Sequence, residues 1–284
     1  MSWKLLAPWQ PSLVVVLVFG GFAWSYYRGN RIQGEGFWRQ LSFWLGLGLS
    51  YIVVHTQFDY YAQYMFFMHR FQHLVLHHLG PFFICLAAPW GAIRRGLGHR
   101  AGAWLARLEQ FFLVRGFFAV VQNPVVAPLL FVGLIVFWLD PKIHFYAMLN
   151  VPLYHLMNAS MFVDGLLFWW LILDPASKAE GARVSYGQRI LMLVMIVLPQ
   201  ILIGARIALA KSVVYDVYSV CGRAWPIDPI VDQIYGGLIT WIPAAMMSVL
   251  STLIILHYML YSESDKSASR RSAQWYVSSK SSSS

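Results

Sequence analysis

Long apolar runs separated by short basic blocks dominate this chain and leave it few ways to fold. The runs fall at approximately 10–27, 37–57, 63–89, 123–139, 143–173, 188–210 and 233–261. A bilayer core about 30 Å thick takes about 20 apolar residues per helix, and within lipid each helix must satisfy its own backbone. The predicted fold is therefore all-α, a bundle of seven transmembrane helices. Only 12% of the 284 residues are charged and 58% are apolar; an average soluble domain carries about 25% charged residues. An ordinary cytosolic enzyme, a disordered chain and a disulfide scaffold are all excluded by these figures.

The net charge of +9 invites a nucleic-acid reading, but a nucleic-acid binder gathers its Lys and Arg on one face or stripe. Here they alternate between the two sides of the predicted bundle. One side holds Arg28, Arg31 and Arg39, then Arg94, Arg95, Arg100, Arg107 and Arg115, then Lys178, Arg183 and Arg189, then Lys266, Arg270, Arg271 and Lys280, fifteen in all. The other holds Lys4, Lys142, Lys211 and Arg223, which is four. Basic residues concentrate in cytoplasmic loops, so the N-terminus is expected outside and the C-terminus in the cytoplasm. Lys4 before the first run and Arg28 after it mark that run as a retained span rather than a cleaved leader. Residues 103–121 are amphipathic, with Arg107, Glu109 and Arg115 among Trp104, Leu105, Leu108, Phe111 and Phe112, and predict an interfacial helix before the fourth span. The bundle is expected to occupy 1–261, with a polar, disordered cytoplasmic tail over 262–284. Pro152 is expected to break or kink the overlong 143–173 run.

The stretch from Met65 to Pro81 carries most of the chemistry. His69, His73 and His77 are spaced by four, and on an α-helix each such step turns about 40° and climbs about 6 Å. The three therefore form one stripe, with His78 pointing elsewhere, and ionisable groups inside a span suggest function. Imidazoles at this spacing can share a metal ion or instead hydrogen-bond neighbouring helices. Met65 and Met68 precede His69, and thioether with imidazole suits copper, particularly Cu(I); the alternative is plain apolar packing. His155, in the fifth span with Asn158 three residues on, is a candidate fourth ligand opposite His73 or His77. His55, Asp59, Asp232 and Cys221 are possible accessory ligands toward the outer face, where most of the histidines lie. Asp232 also reads as a helix cap or an ion-pair partner for Arg206, a role open to Asp59 as well. Cys85 and Cys221 are predicted on opposite sides of the membrane, unable to pair. No nucleophile–base pair, phosphate-binding glycine loop or paired carboxylates point to an enzyme.

Met68-His69-Arg70-Phe71-Gln72-His73-Leu74-Val75-Leu76-His77-His78-Leu79-Gly80-Pro81, followed by Ala88-Pro89, resembles the hallmark of the CtaG family of polytopic cytochrome c oxidase assembly factors. Gly165-Leu166-Leu167-Phe168-Trp169-Trp170 and Asp232-Gln233…Gly236-Gly237…Trp241 are similar to two further blocks of that family, in the same order. The resemblance covers residues 10–261. It implies a seven-span protein of the bacterial inner membrane that delivers copper to a haem-copper oxidase, with His69, His73, His77 and Asp232 at family positions. Its implied partners are an oxidase subunit, a periplasmic copper carrier and the lipid bilayer. One departure is local: the family has an acidic or His position just before the Gly165 block, where this chain reads Tyr154-His155-Leu156-Met157-Asn158. Two alternatives remain open: a b-type haem protein with His73 or His77 and His155 as axial pair, and a metal-free scaffold for an oxidase subunit.

Overall fold

The computed structural model describes residues 7–281, with side chains described for 7–178 and 180–264. Every apolar run falls on helix. The elements are α1 (Leu13–Ile32), α2 (Phe37–His55), α3 (Gln57–Tyr64), α4 (Phe66–Leu74), a π turn (Val75–Leu79), α5 (Gly80–Leu86), α6 (Trp90–Gln110), α7 (Phe112–Val121), α8 (Val126–Leu139), α9 (Pro141–Leu149), α10 (Val151–Ile172), α11 (Tyr186–Ala208), α12 (Val217–Val220) and α13 (Pro229–Ser281). No strand occurs among the described residues. Three helices are each long and apolar enough to cross a bilayer: α10, α11 and α13 over Pro229–Ser264. Two bent pairs meet the same standard together, Phe66–Leu86 with Trp90–Gln110 at 77°, and Phe112–Val121 with Val126–Leu139 at 75°.

Local chemistry explains where the long runs break. The 143–173 run is two helices, because Asn150 leaves helical geometry and its side chain accepts from the Leu153 amide. Pro152 sits in the first turn of α10, where its missing N–H costs nothing, so it starts a helix rather than kinking one. Asp140 caps α9 in the same way, accepting from Lys142 and Ile143. The 103–121 stretch is not one helix. Its first half continues α6 and its second half is α7, divided at Phe111, whose backbone is extended (φ −65°, ψ 131°). α7 carries the exposed Phe112, Leu113, Phe117 and Val120. Within α6, Gly98 adopts φ +77°, a left-handed conformation open mainly to glycine. Past Ser262, where the polar tail was predicted, α13 runs on as helix to Ser281.

The helix bearing the histidines is the hub. α4 packs on α13, α5 on α2, and α10 lies along the π turn and α5, while α11 pairs with α13 and α1 with α6. Small residues allow the closest of these approaches: a Cβ on Gly237 would meet Ala208 N at 2.6 Å and Gly204 O at 2.7 Å, the close crossing that membrane helices favour.

Candidate functional site

α4 starts at an extended residue, Met65 (φ −140°, ψ 127°), and its first amides need an acceptor. Asp232 of α13 supplies it. One carboxylate oxygen accepts from Phe67 N at 2.8 Å, and the other from Phe66 N at 3.1 Å and from the Arg223 guanidinium. Asp232 is thus a cap and an ion-pair partner, as its sequence position allowed, but it caps α4 rather than its own helix, and its cation is Arg223. Arg206 is exposed on α11 and forms no ion pair among the described residues.

His69 follows one turn into α4. It is fully buried, and neither ring nitrogen makes a well-formed hydrogen bond, the Ala62 backbone being the one polar group that interacts with the ring. Its ring centroid lies 4.3 Å from that of His73 and 5.1 Å from that of His144. Both neighbours are already engaged. His73 Nδ1 accepts from Arg70 Nη1 at 3.3 Å, which leaves its Nε2–H to donate to Asn158 Oδ1 at 3.1 Å. His144 bridges Trp138 O (3.1 Å) and the Tyr218 hydroxyl (2.9 Å).

The helix then changes its winding. Pro81 has no amide proton and its ring crowds the carbonyl four residues back, which is that of His77. The chain widens into the π turn, with Gly80 N bonding Val75 O, and the freed His77 carbonyl accepts from Trp169 Nε1 at 3.0 Å. Gly165 permits this contact, since a Cβ there would lie 2.6 Å from the same oxygen. The Gly165…Trp169 block is therefore a receptor for the carbonyl that Pro81 orphans. His77 lies in this π turn, stacks on Phe131 with centroids 3.9 Å apart, and lines the same small cavity as His73. His78, predicted to point elsewhere, is turned inward as well, 5.2 Å from His77.

Asp164 of α10 accepts from His77 Nε2 at 2.9 Å, leaving Nδ1 an unpaired lone pair. A carboxylate fixing the far nitrogen is the support that metal-binding histidines usually have. His78 Nε2 contacts Gln200 Nε2 at 3.3 Å and its Nδ1 is also unpartnered. A cavity of about 10 Å³ lies among Arg70, His73, His77, His78 and Thr240.

The remaining candidates lie elsewhere. His155 is exposed on α10 and faces neither His73 nor His77; Asn158, one turn further on, takes the inward position. The axial haem pair that needed His155 is not formed. His55 accepts from the Ser12 amide at 3.0 Å and bonds the Tyr51 hydroxyl at 2.7 Å, holding the start of α1. Asp59 is saturated by Gln63 (2.8 Å), Gln72 (2.8 Å) and the Tyr154 hydroxyl (2.7 Å). Met65 is buried, Met68 half-buried, and Cys221 exposed after α12. Cys85 is buried and directs its thiol to Leu166 O. Among the described residues no three His, Cys, Asp or Glu side chains are arranged to hold a metal ion.

An all-α bundle with membrane-spanning helices, whose central helix buries His69, His73, His77 and His78 among polar side chains of its neighbours, defines a membrane protein with an internal cluster of histidines. The family model of the cytochrome c oxidase caa3 assembly factors (Caa3_CtaG) matches residues 20–262, and the chain belongs to that family. No curated protein and no solved structure matches it.

Proposed function

We propose that this protein binds copper as cargo at His69 and passes it to a haem-copper oxidase subunit during assembly, with no turnover chemistry of its own. The observation that carries the reading is His69 itself, a fully buried imidazole with at least one ring nitrogen unpaired and no well-formed hydrogen bond at either, flanked by two further imidazoles. A buried polar group without a partner costs about 1–3 kcal/mol, a cost that binding a cation at either nitrogen would remove. Cu(I) accepts few ligands, so His69 with one of His73 and His144 suffices, while Met65 and Met68 supply soft sulfur close by. His73 becomes a ligand by giving up Arg70 or Asn158. His77, with its nitrogen set by Asp164, is the next station along the helix.

In this reading the chain makes seven spans in the bacterial inner membrane, with the N-terminus outside and the C-terminus cytoplasmic. Support comes from the fifteen-to-four partition of basic residues and from the helices that underlie every apolar run. His69 then lies in the outer half, within reach of a periplasmic copper carrier, and the oxidase subunit docks from the lipid side. The test is Cu(I) competition with a chromophoric chelator on the purified protein. His69→Ala should weaken binding at least tenfold, and His155→Ala should leave it unchanged. Equal binding by both variants, or a strong Soret band without copper in the wild type, overturns the proposal. Intact oxidase assembly and copper content at limiting copper in a His69→Ala/His73→Ala strain would favour a metal-free scaffold.

A further inference from the structure

Away from the histidines, an apolar slot of about 480 Å³ runs between α1, α2, α5 and α10, within the ~300–1,000 Å³ typical of small-molecule sites. It opens sideways, because Val18, Phe22 and Val163 line it and are also exposed on the outside of the bundle. Along α10 its wall runs from Phe162 to Trp170, about 12 Å at 1.5 Å per residue. That is close to the acyl depth of one leaflet, about half of a ~30 Å hydrocarbon core. α10 is long and apolar enough to cross a bilayer and ends at Ile172, so the Trp170 end of the slot sits at a membrane surface. Trp90 and Trp170 meet edge to face at that end, with centroids 6.2 Å apart, at the depth where indoles gather in membranes.

The wall carries three polar side chains, Gln122, Arg183 and Glu109. Gln122, just past α7, is only 8% exposed, and its side-chain amide has no hydrogen-bond partner among the described residues. A buried amide left unpaired is costly, and a ligand in the slot would satisfy it. Arg183 is exposed, donates from Nη1 to Phe118 O at 3.3 Å, and has no carboxylate within ion-pair distance among the described residues. Glu109 is offset by Arg94 at 3.4 Å, which leaves Arg183 as the net charge of this end. We propose that the slot binds one anionic phospholipid, with an acyl chain along Phe162–Trp170 and the phosphodiester on Arg183 and the Gln122 amide. The chemistry of the wall favours this occupant. A haem would need an axial His, Met, Cys or Tyr, and the wall contains none. A zwitterionic headgroup would bring its own cation beside Arg183, whereas basic pockets between membrane helices recruit acidic lipids. In the orientation proposed above the site lies in the cytoplasmic leaflet, but its chemistry does not depend on that orientation or on copper.

The experiment delipidates the full chain in detergent, without copper, and titrates it with phosphatidylglycerol or phosphatidylcholine of matched chains. Native mass spectrometry counts the lipid retained per chain. The wild type should retain one phosphatidylglycerol, with at least a fivefold preference over phosphatidylcholine, and excess inorganic phosphate should not displace it. Arg183→Gln should abolish the preference. Val163→Trp, at an exposed position on the slot wall, should fill the slot and weaken phosphatidylglycerol binding at least fivefold. Leu198→Trp, exposed on α11 and outside the slot, should leave it unchanged. Equal retention of the two lipids by the wild type overturns the proposal, as does retention of a prenyl quinone in place of phospholipid. Displacement by phosphate, or undiminished binding in Val163→Trp, overturns it too. Should Val163→Trp fail to fold, Arg183→Gln decides, and an unchanged preference there overturns it. Since no copper is present, failure here leaves the copper proposal standing, and failure of copper binding leaves this one standing.

Discussion

Replacing Trp169 by Phe probes the most unusual feature of the histidine helix, a carbonyl left without an intrahelical donor by Pro81. Trp169 is fully buried and its Nε1–H is 3.0 Å from His77 O. Phenylalanine fills most of the indole space but leaves that oxygen unsatisfied, at about 1–3 kcal/mol; hydrogen bonds between membrane helices fall toward the low end, about 0.6–2 kcal/mol. The lost ring volume adds about 1 kcal/mol, so Trp169→Phe should destabilise by about 2–3 kcal/mol. In a Pro81→Ala background the restored amide can bond the same carbonyl, and only the packing loss should remain. The coupling between the two substitutions is then about 1–2 kcal/mol. Reversible unfolding in mixed detergent micelles, followed by far-ultraviolet circular dichroism, measures all four corners of the cycle. Equal losses in the two backgrounds, within about 0.5 kcal/mol, would refute the carbonyl account.

The other stability predictions use the same assay. Gly165→Ala drives a Cβ to 2.6 Å from His77 O, a backbone atom that cannot swing aside, and should cost about 1–3 kcal/mol. Gly187→Ala, with nothing within 4 Å, should be neutral or slightly stabilising, and a comparable loss at both sites would contradict the packing account. Asp232→Ala removes the cap of α4 and the partner of Arg223 together and should cost about 2–4 kcal/mol. Cys221→Ser, in an exposed loop, should stay within about 0.5 kcal/mol. His55→Ala should destabilise by about 1–2 kcal/mol through the orphaned Ser12 amide while leaving Cu(I) affinity untouched; a drop in that affinity would make His55 a ligand.

What the sequence disclosed follows the range over which each force acts. Apolar runs report burial in lipid residue by residue, so their positions carry over directly onto helices. The His69–His73 pairing needs only α-helical spacing and is found at 4.3 Å between centroids. The π turn at His77 was written in Pro81, four residues on, but seeing it required tracing the proline's effect back to a carbonyl and asking which donor would answer. His144 escaped the candidate list because a 143–173 run broken or kinked only at Pro152 leaves it at a membrane end. The Asp140-Pro141 start and Asn150 were the signals that a separate short helix carries it inward.

Long-range choices stayed hidden for a different reason. Asp232 is a cap in either reading, yet nothing within its own helix distinguishes capping α13 from capping α4, 166 residues away in the chain at Phe66. Likewise Asn158 and His155 are three positions apart on α10, and the packing of that helix along the π turn makes Asn158 the partner of His73 and leaves His155 exposed. The same packing needs Gly165, where a Cβ would lie 2.6 Å from the His77 carbonyl oxygen. The block around Gly165 and Trp169 therefore bears on the histidines through packing, by holding α10 against the His77 carbonyl.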